Sequence, residues 1–416
     1  MGRFAMKQRS ASAYQNVVIS LVMLMSATAC IAVPGSESPP STIVAHVTVR
    51  YFGDAAPWNI PAANLGRSSR YQTYAQRFWN YSNAGAVADP TLRGQVSTYF
   101  RDYSVPIYEA TASTGTIRVF RAGYGYDGSI EPGEVIPWDS SWEPATGNDH
   151  NMVILEPATG REIDLWLVQK ENHSGCITIE NILRGYTPGI DLCVGLANQV
   201  KTATGEIADY RTGTGGYFSR GVGLPKLAMV ARADEVASGF IDHALAVNVY
   251  NAMFGPACTP AQRTTVAEGV DCGFFMSPGT RLELADGPQD FCGATNPPNT
   301  SAARAQTVPE GMRFAVDLTD AEIDQWLQGR GFTGQLRNTA RIFAEALRNY
   351  GFIVAESSCY DVGIETDGML NPVTKAKWEQ LGVEDGPDAA SLLHGLFELE
   401  DLYVLNPPAA VLLGVR

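Results

Sequence analysis

Two carboxylates and a tryptophan share one face of a β-strand that the sequence predicts over residues 161–166. The two-residue period of a strand points Glu162, Asp164 and Trp166 to the same side. Carboxyl groups at this spacing lie about 7 Å apart along the strand, so they change each other's pKa and can hold one sugar or cation. We therefore predict Glu162 and Asp164 as catalytic residues and Trp166 as a stacking surface for a sugar ring. The alternative is an acidic strand face in solvent.

Two histidines, each preceded by an aspartate, add imidazoles that can accept or donate a proton near neutral pH. His150 follows Asp149 at the start of the strand before the hairpin turn, and His243 follows Asp242 in the run GFIDHALAVNVY. We predict His150, His243 and Asp242 as catalytic residues. We predict Asp149 and Asn248 as ligand contacts in the same cleft. In the alternative interpretation, His150 only ends a strand and His243 is a hydrogen-bonded core residue.

Other motifs narrow the chemistry. Tyr124 and Tyr126 are predicted to stack on the same ligand as Trp166. The glycine-rich segment 212–225 lacks the Gly-Lys-Ser/Thr of a phosphate loop and is predicted to be a surface loop. The sequence contains neither G-x-S-x-G nor H-E-x-x-H, and its cysteines and histidines do not have the spacing of a zinc site. No metal and no cofactor are therefore predicted.

The elements that position these residues are mostly short strands. Between residues 43 and 316, apolar residues recur at every second position in runs separated by Gly, Pro, Asn and Asp. Pro157 and Gly160 mark the turn of a hairpin. Regular helices do not alternate with the strands, which disfavours a doubly wound α/β sheet. The predicted fold is mainly β, an antiparallel β-sandwich of the jelly-roll type with a few peripheral helices.

Helices are predicted towards the two ends of the chain. Residues 69–82 and 90–103 are candidates near the N-terminus. Thr319 and Glu322 have the spacing of a capping box, which opens a third helix. Residues 336–350 carry a continuous apolar stripe at helical spacing and give the strongest helix prediction.

The N-terminal residues have the pattern of an export signal. Three cations precede an apolar run from Val17 to Val33, and no acidic residue occurs before Glu37, so residues 1–33 are predicted to be a signal peptide. The run ends in Ala-Thr-Ala-Cys, which loosely resembles the processing site of bacterial lipoproteins. Two interpretations stay open, lipid attachment at Cys30 or ordinary signal cleavage nearby.

Beyond the signal, the sequence predicts one domain. Residues 34–42 are rich in Pro and Ser and are predicted to be a flexible tether. Residues 43–405 form the predicted domain, with a Cys- and Pro-rich insertion at 255–308, and residues 406–416 are a C-terminal tail.

An even number of cysteines follows the signal, which favours disulfides in an exported chain. The disulfide candidates are Cys176, Cys193, Cys258, Cys272, Cys292 and Cys359. We predict one pair, Cys176 with Cys193, because these two bracket a short loop that contains Gly and Pro. The other connections stay open.

Composition limits the partners. The 416 residues include 30 Lys and Arg against 44 Asp and Glu, which gives a net charge of −14. This balance excludes a nucleic-acid-binding surface, which needs clustered cations, and it disfavours acidic polysaccharides. Contact with a membrane is predicted only through a lipid anchor.

Two resemblances add to these predictions. The string Glu162-Ile163-Asp164-Leu165 resembles part of the E-x-D-x-(x)-E signature of laminarinase-type glycoside hydrolases, which are jelly rolls. The second Glu of that signature is missing here, since Trp166 and Leu167 occupy its place. The acid/base residue of that family is therefore not carried over.

A longer series of segments resembles a functionally uncharacterised family of secreted bacterial proteins. This resemblance implies a single sandwich-like β domain with the long helix packed on it, and it implies no catalytic set. The segments are PWNIP (57–61), YSVPIYEA (103–110), DHNMVILEPATGREIDLW (149–166), GVGLPKLAMVARADEVASGFIDHALAV (221–247), PEGMRFAVD (309–317) and ARIFAEALRNYGFIVAE (340–356).

Together the residues favour a protein of the cell envelope or the extracellular space that acts on, or binds, a polysaccharide or other glycan. In the enzymatic version, a carboxylic acid with a raised pKa protonates a leaving oxygen. A second carboxylate or an imidazole then activates water or abstracts a proton, so hydrolase and lyase both stay open. One alternative is a non-catalytic glycan-binding protein, free or lipid-anchored. Another is a structural envelope protein without a ligand.

Overall fold

Short β-strands, most of them three to six residues long, form three sheets, and helices cover one outer face of the stack. The chain from Ala45 to Arg416 forms one compact unit. The computed structural model describes residues 50–123, 128–170, 174–203, 206–207, 219–259, 261–262, 270–288 and 298–408.

The strands are β1 Val96–Tyr99, β2 Ile107–Glu109, β3 Thr116–Arg121, β4 Glu134–Pro137, β5 Met152–Glu156, β6 Arg161–Trp166, β7 Leu192–Val194, β8 Leu196–Ala203, β9 Glu206–Ile207, β10 Leu245–Val249, β11 Arg313–Val316, β12 Phe352–Ser357, β13 Val362–Glu365 and β14 Leu402–Val404. The helices are α1 Ala62–Leu65, α2 Thr73–Tyr81, α3 Ala84–Ala88, α4 Ile179–Leu183, α5 Ala233–Ala237, α6 Ser301–Arg304, α7 Asp320–Gly329, α8 Gly334–Asn349, α9 Pro372–Gln380 and α10 Pro387–Ala390. Single 3-10 turns lie at Pro57–Asn59, Pro90–Leu92, Ser174–Cys176 and Leu399–Asp401.

All three sheets are mixed. The six-stranded sheet has the order β1-β13-β10-β12-β11-β14, the five-stranded sheet β2-β5-β6-β8-β9 and the three-stranded sheet β4-β3-β7. The β1–β13, β10–β12, β2–β5 and β3–β7 pairs are parallel, while the predicted β5–β6 hairpin is antiparallel. Parallel neighbours need long crossovers, and α8 lies in the connection from β10 to β12. The prediction of many short strands is confirmed, but a purely antiparallel, mainly β fold is not what these sheets form.

Helices cover one face of the six-stranded sheet. Phe343 and Leu347 of α8 belong to the same buried apolar cluster as Phe314 and Phe352 of the sheet. The rings of Phe314 and Phe352 stack with centroids 5.4 Å apart. The apolar stripe that predicts α8 therefore faces this core, as its spacing requires.

The opposite face of the six-stranded sheet shares an apolar cluster with the five-stranded sheet. Leu224 and Leu227, from the segment 222–230, join Val153 of β5 and Ile353 of β12 in this cluster. The other face of the five-stranded sheet packs on the three-stranded sheet. Both faces of the β5–β6 hairpin are therefore covered by protein.

Three of the four predicted helices are confirmed, as α2, α7 and α8, and the Thr319–Glu322 capping box is present. The helix predicted over residues 90–103 is wrong. Gly94 adopts a positive φ of 73°, which interrupts any helix there, and the residues after it form β1 and pair with β13. Pairing with a distant strand outweighs the local helical pattern in this segment.

The predicted Cys176–Cys193 disulfide is confirmed, and a second joins Cys258 to Cys272. Cys359 is also disulfide-bonded. Cys292 and the lipidation candidate Cys30 lie outside the described residues. Within the described part of the chain, no helix is both long enough and apolar enough to cross a bilayer.

Candidate functional site

A cleft of about 1110 Å³ opens over the carboxyl ends of β1, β10 and β12 in the six-stranded sheet. Aromatic side chains form its walls: Tyr99 and Tyr103 come from β1 and the turn after it, Trp166 from the end of β6, and Tyr360 from the loop after β12. The rings of Tyr99 and Tyr103 lie 5.8 Å apart, centroid to centroid. The cleft is thus lined by faces on which a planar or ring-shaped ligand can pack.

The central strands supply the polar floor of this cleft. Asn248 of β10 is the register partner of Glu356 of β12 and also of Gly363 of β13. Asn248 and Glu356 line the cleft. A Cβ on Gly363 would lie only 1.9 Å from the ring of Tyr99, so glycine is required at this position for that ring to lie across β13.

Beneath the floor, two buried cations are paired with two glutamates. Arg220 forms an ion pair with Glu365, and Lys226 Nζ lies 2.6 Å from Glu356 and 3.9 Å from Glu365. Asn248 Nδ2 donates a hydrogen bond of 3.2 Å to Glu365. Arg220 also donates to the backbone carbonyls of Pro225, Lys226 and Ala228, which fixes the segment after it. Buried charges need such partners, because removing one of them leaves the other uncompensated.

The two glutamates of this network differ in their affinity for a proton. Burial raises the pKa of Glu365, but the charges of Arg220 and Lys226 outweigh it and bring the pKa below its ordinary value. For Glu356, burial outweighs the opposing charge of Lys226 and raises the pKa to about 7. Burial lowers the pKa of Lys226, but the charges of Glu356 and Glu365 outweigh burial and raise the pKa above its ordinary value. This lysine therefore stays charged. Glu356 is therefore the member of the network that exchanges a proton near neutral pH.

A second carboxylate on the cleft lining, Glu283, lies beside the end of β12. Its Oε2 accepts a hydrogen bond of 2.8 Å from the backbone N–H of Ser357, the residue after Glu356. A Cβ on Gly221 would lie 2.3 Å from the same oxygen, so the carboxylate rests directly on glycine backbone. Glu310 lies behind it, and burial together with the charge of Glu283 raises the pKa of Glu310 well above its ordinary value. The backbone N–H of Glu283 donates to Glu310 Oε2 at 2.9 Å, so the two residues are in direct contact.

Three residues on the cleft lining have a buried side-chain polar atom with no hydrogen-bond partner among the described residues. These atoms are Thr98 Oγ1, Asn248 Oδ1 and Ser219 Oγ, on residues that are 1%, 6% and 8% exposed. Leaving such atoms unpaired costs roughly 1–3 kcal/mol each, so native proteins rarely do so without a functional reason. Asn248 Oδ1 offers an acceptor, and the two hydroxyl groups can each donate or accept a hydrogen bond.

The structure places Glu162 and Asp164 elsewhere. They are 0% and 2% exposed and face neither solvent nor the cleft. The backbone N–H of Leu227 donates to Glu162 Oε1 at 2.7 Å, and that of Lys226 donates to Asp164 Oδ2 at 3.0 Å. Burial, followed by the charge of Asp164, raises the pKa of Glu162 well above its ordinary value. Glu162 therefore favours its protonated form, and the two carboxyl groups together hold the backbone that carries Lys226.

The remaining residues predicted as catalytic are also absent from the cleft lining. His243 is buried, with Nε2 3.2 Å from Glu235 and Nδ1 2.8 Å from the carbonyl of Ala244, as a core histidine would be. His150 Nδ1 lies 3.2 Å from the carbonyl of Ala145, as expected for a strand end. Asp242 forms an ion pair of 3.2 Å with Arg50. These contacts correspond to the structural alternatives for the two histidines.

Three of the predicted ligand contacts do meet in the cleft: Trp166, Asp149 and Asn248. The indole N–H of Trp166 donates to Asp149 Oδ1 at 3.3 Å, which holds the ring at the cleft edge. Tyr124 and Tyr126 lie outside the described residues.

The sequence interpretation missed the charged residues of the network. Ser219 and Arg220 belong to the glycine-rich segment predicted as a surface loop, yet both are buried. Glu356 and Glu365 end apolar strands, and Lys226 interrupts an apolar run. A charge inside an otherwise apolar strand is costly to bury, and this is the signal that points to such residues.

Comparison of the chain with protein-family models, with curated proteins and with solved structures gave no match. Within the described residues, no group of three or more His, Cys, Asp or Glu side chains could hold a metal ion.

Proposed function

We propose that this protein is an exported carbohydrate-active protein that binds a glycan in the cleft above the six-stranded sheet. The single observation that carries the proposal is the pairing of unsatisfied buried polar atoms with aromatic walls. Asn248 Oδ1 accepts a hydrogen bond from a sugar hydroxyl, and Ser219 Oγ accepts or donates one. Trp166 and the tyrosines supply the flat apolar faces on which sugar rings pack.

The charge of the cleft selects among glycans. Acidic side chains on its lining outnumber basic ones, since Asp102, Asp149, Glu283, Glu356, Asp361 and Asp385 face Arg101, Arg220 and Arg281. Arg220 is already paired with Glu365, and Arg101 lies 3.5 Å from Asp385. The cleft therefore favours neutral or amino sugars and repels uronic acids.

The disulfides support a location outside the cytoplasm, because such bonds persist in oxidising compartments. We propose that the N-terminal signal directs the chain to the cell envelope or the extracellular space, with lipid attachment at Cys30 as one form of retention there.

The proposal is tested by affinity electrophoresis of the mature protein in gels that contain a neutral β-glucan, a xylan, chitosan or alginate. We expect retardation by a neutral or amino-sugar polymer and none by alginate. The variant Tyr360→Ala removes an aromatic ring that is 59% exposed at the cleft, so it should weaken retardation without unfolding the protein. An aromatic contact of this kind contributes about 1 kcal/mol to binding, which is roughly a fivefold change in affinity.

The matched control is Phe240→Ala. Phe240 is 49% exposed and is not part of the cleft lining, so its loss should leave retardation unchanged. Equal weakening by both variants, or no retardation by any polymer of the panel while the protein is folded, would overturn the proposal.

A further inference from the structure

Two carboxyl groups with different environments lie next to each other on the cleft lining. Glu356 projects from β12 into the cleft, and the Glu283 carboxylate is hydrogen-bonded to the backbone N–H of the following residue, Ser357, at 2.8 Å. The negative charge of Glu283 is close enough to help raise the pKa of Glu356. A proton donor and a proton acceptor on one cleft are the two roles that general acid and base catalysis requires.

The environments of the two groups divide these roles. The Glu356 side chain is 13% exposed, and burial raises its pKa to about 7, so it can bind a proton at the cleft near neutral pH. The Glu283 carboxylate accepts a hydrogen bond from the Ser357 N–H at 2.8 Å and lines the same cleft. The structure thus provides one proton donor and one proton acceptor on the same wall.

We infer that this cleft hydrolyses glycosidic bonds, with Glu356 as the general acid and Glu283 as the general base. The inference rests on the proposed function, since it requires a glycan in the cleft. Glu356 donates its proton to the glycosidic oxygen as the bond from that oxygen to the anomeric carbon breaks. Glu283 accepts a proton from a water molecule, whose oxygen forms the new bond to the anomeric carbon. The products are two sugar chains, one of which has a new reducing end.

The resting state is restored by moving one proton. After each turnover Glu356 is ionised and Glu283 is protonated, and exchange with solvent through the open cleft returns both to their starting forms. Lys226 Nζ lies 2.6 Å from Glu356 and stabilises the ionised form of Glu356 until it is protonated again. Lys226 is therefore a positioning residue, and Glu162 and Asp164 act through it because they hold its backbone.

The test measures new reducing ends and binding on the same protein samples. The mature protein is incubated with each polymer that it binds in the gel assay, in ordinary water and in isotopically labelled water. We expect reducing ends that carry the solvent oxygen, which a lyase would not produce. Glu356→Gln and Glu283→Gln should each lower the rate by about 10²–10⁴-fold and leave polymer retardation intact. Retained binding shows that these variants are folded.

Glu180→Gln is the matched control, because Glu180 lies on α4 with a side chain that is 67% exposed. Its rate should equal that of the unaltered protein. If the unaltered protein binds a polymer but releases no reducing ends, the hydrolysis inference is overturned and glycan binding stands. If no polymer binds, both the hydrolysis inference and the proposed glycan binding are overturned. Full activity in Glu356→Gln, or products without solvent oxygen, also overturns the inference.

Discussion

The protein contains two regions in which carboxyl groups lie close together, and only one of them lines the cleft. In the hairpin, Glu162 and Asp164 are sealed between sheets, and each accepts a backbone N–H from the segment that follows Pro225. At the cleft, Glu283 also accepts a backbone N–H, but it and Glu356 line open space. Carboxyl groups therefore hold backbone in both regions, but only the pair at the cleft is accessible from open space.

One segment joins the two regions. Lys226 gives its backbone N–H to Asp164 and its ammonium group to Glu356. Arg220 donates to the backbone carbonyls of Lys226 and Ala228 while it pairs with Glu365. Glu162 and Asp164 thus hold the backbone of the cleft network in place, although neither residue lines the cleft.

The largest expected effect is the loss of stability when Arg220 is replaced. Arg220→Met leaves Glu365 buried without its main partner and frees three backbone carbonyls, so we expect a loss of about 3–5 kcal/mol in the free energy of unfolding. Urea denaturation followed by tryptophan fluorescence measures this loss. Arg341→Met removes a half-exposed ion pair with Asp324 and should cost less than about 1 kcal/mol.

A double variant refines this prediction. Adding Glu365→Gln to Arg220→Met removes the uncompensated charge, so part of the lost stability should return. If the double variant is no more stable than Arg220→Met, charge pairing is not what Arg220 contributes.

A smaller effect distinguishes the hairpin pair from the cleft pair. Glu162→Gln keeps an oxygen for the Leu227 N–H and an amide donor for Asp164, so we expect nearly unchanged stability near pH 5. Glu162→Ala leaves that N–H unpaired and should cost about 1–3 kcal/mol. Neither variant removes a group from the cleft, so Glu162→Gln should keep full polymer binding.

The pH dependence of stability provides a second readout of the same pair. The pKa of Glu162 is raised in the folded protein, so the folded state keeps a proton that the unfolded state loses above its ordinary value of 4.5. This contribution to stability is therefore complete at low pH and disappears as the pH rises through the folded pKa. Glu162→Gln should remove this decline with rising pH. An unchanged decline would show that Glu162 does not hold this proton in the folded state.

The sequence predicts the local secondary structure of these regions better than it predicts which residues are buried. Alternation correctly puts Glu162, Asp164 and Trp166 on one face, and the capping box and apolar stripe correctly predict α7 and α8. Alternation cannot show that a second sheet covers that face, because burial on both sides depends on strands that are distant in sequence. For the same reason, Glu356 and Glu283, which are 73 residues apart in the sequence, carry no local signal of their proximity.

The smallest expected effect concerns Lys226 and the proton of Glu356. The ammonium group favours the ionised form of Glu356, so Lys226→Met should raise the pKa of this acid further above its present value of about 7. If Glu356 must be protonated to act, the alkaline limb of the kcat/KM profile for reducing-end release should move to higher pH by about 1 unit. Lys377→Met, at a lysine whose side chain is 37% exposed and which pairs with Asp234 away from the cleft lining, should leave the limb in place. If the alkaline limb does not move in Lys226→Met, a group other than Glu356 produces that limb. The ion pair between Lys226 and Glu356 would then have no effect on catalysis.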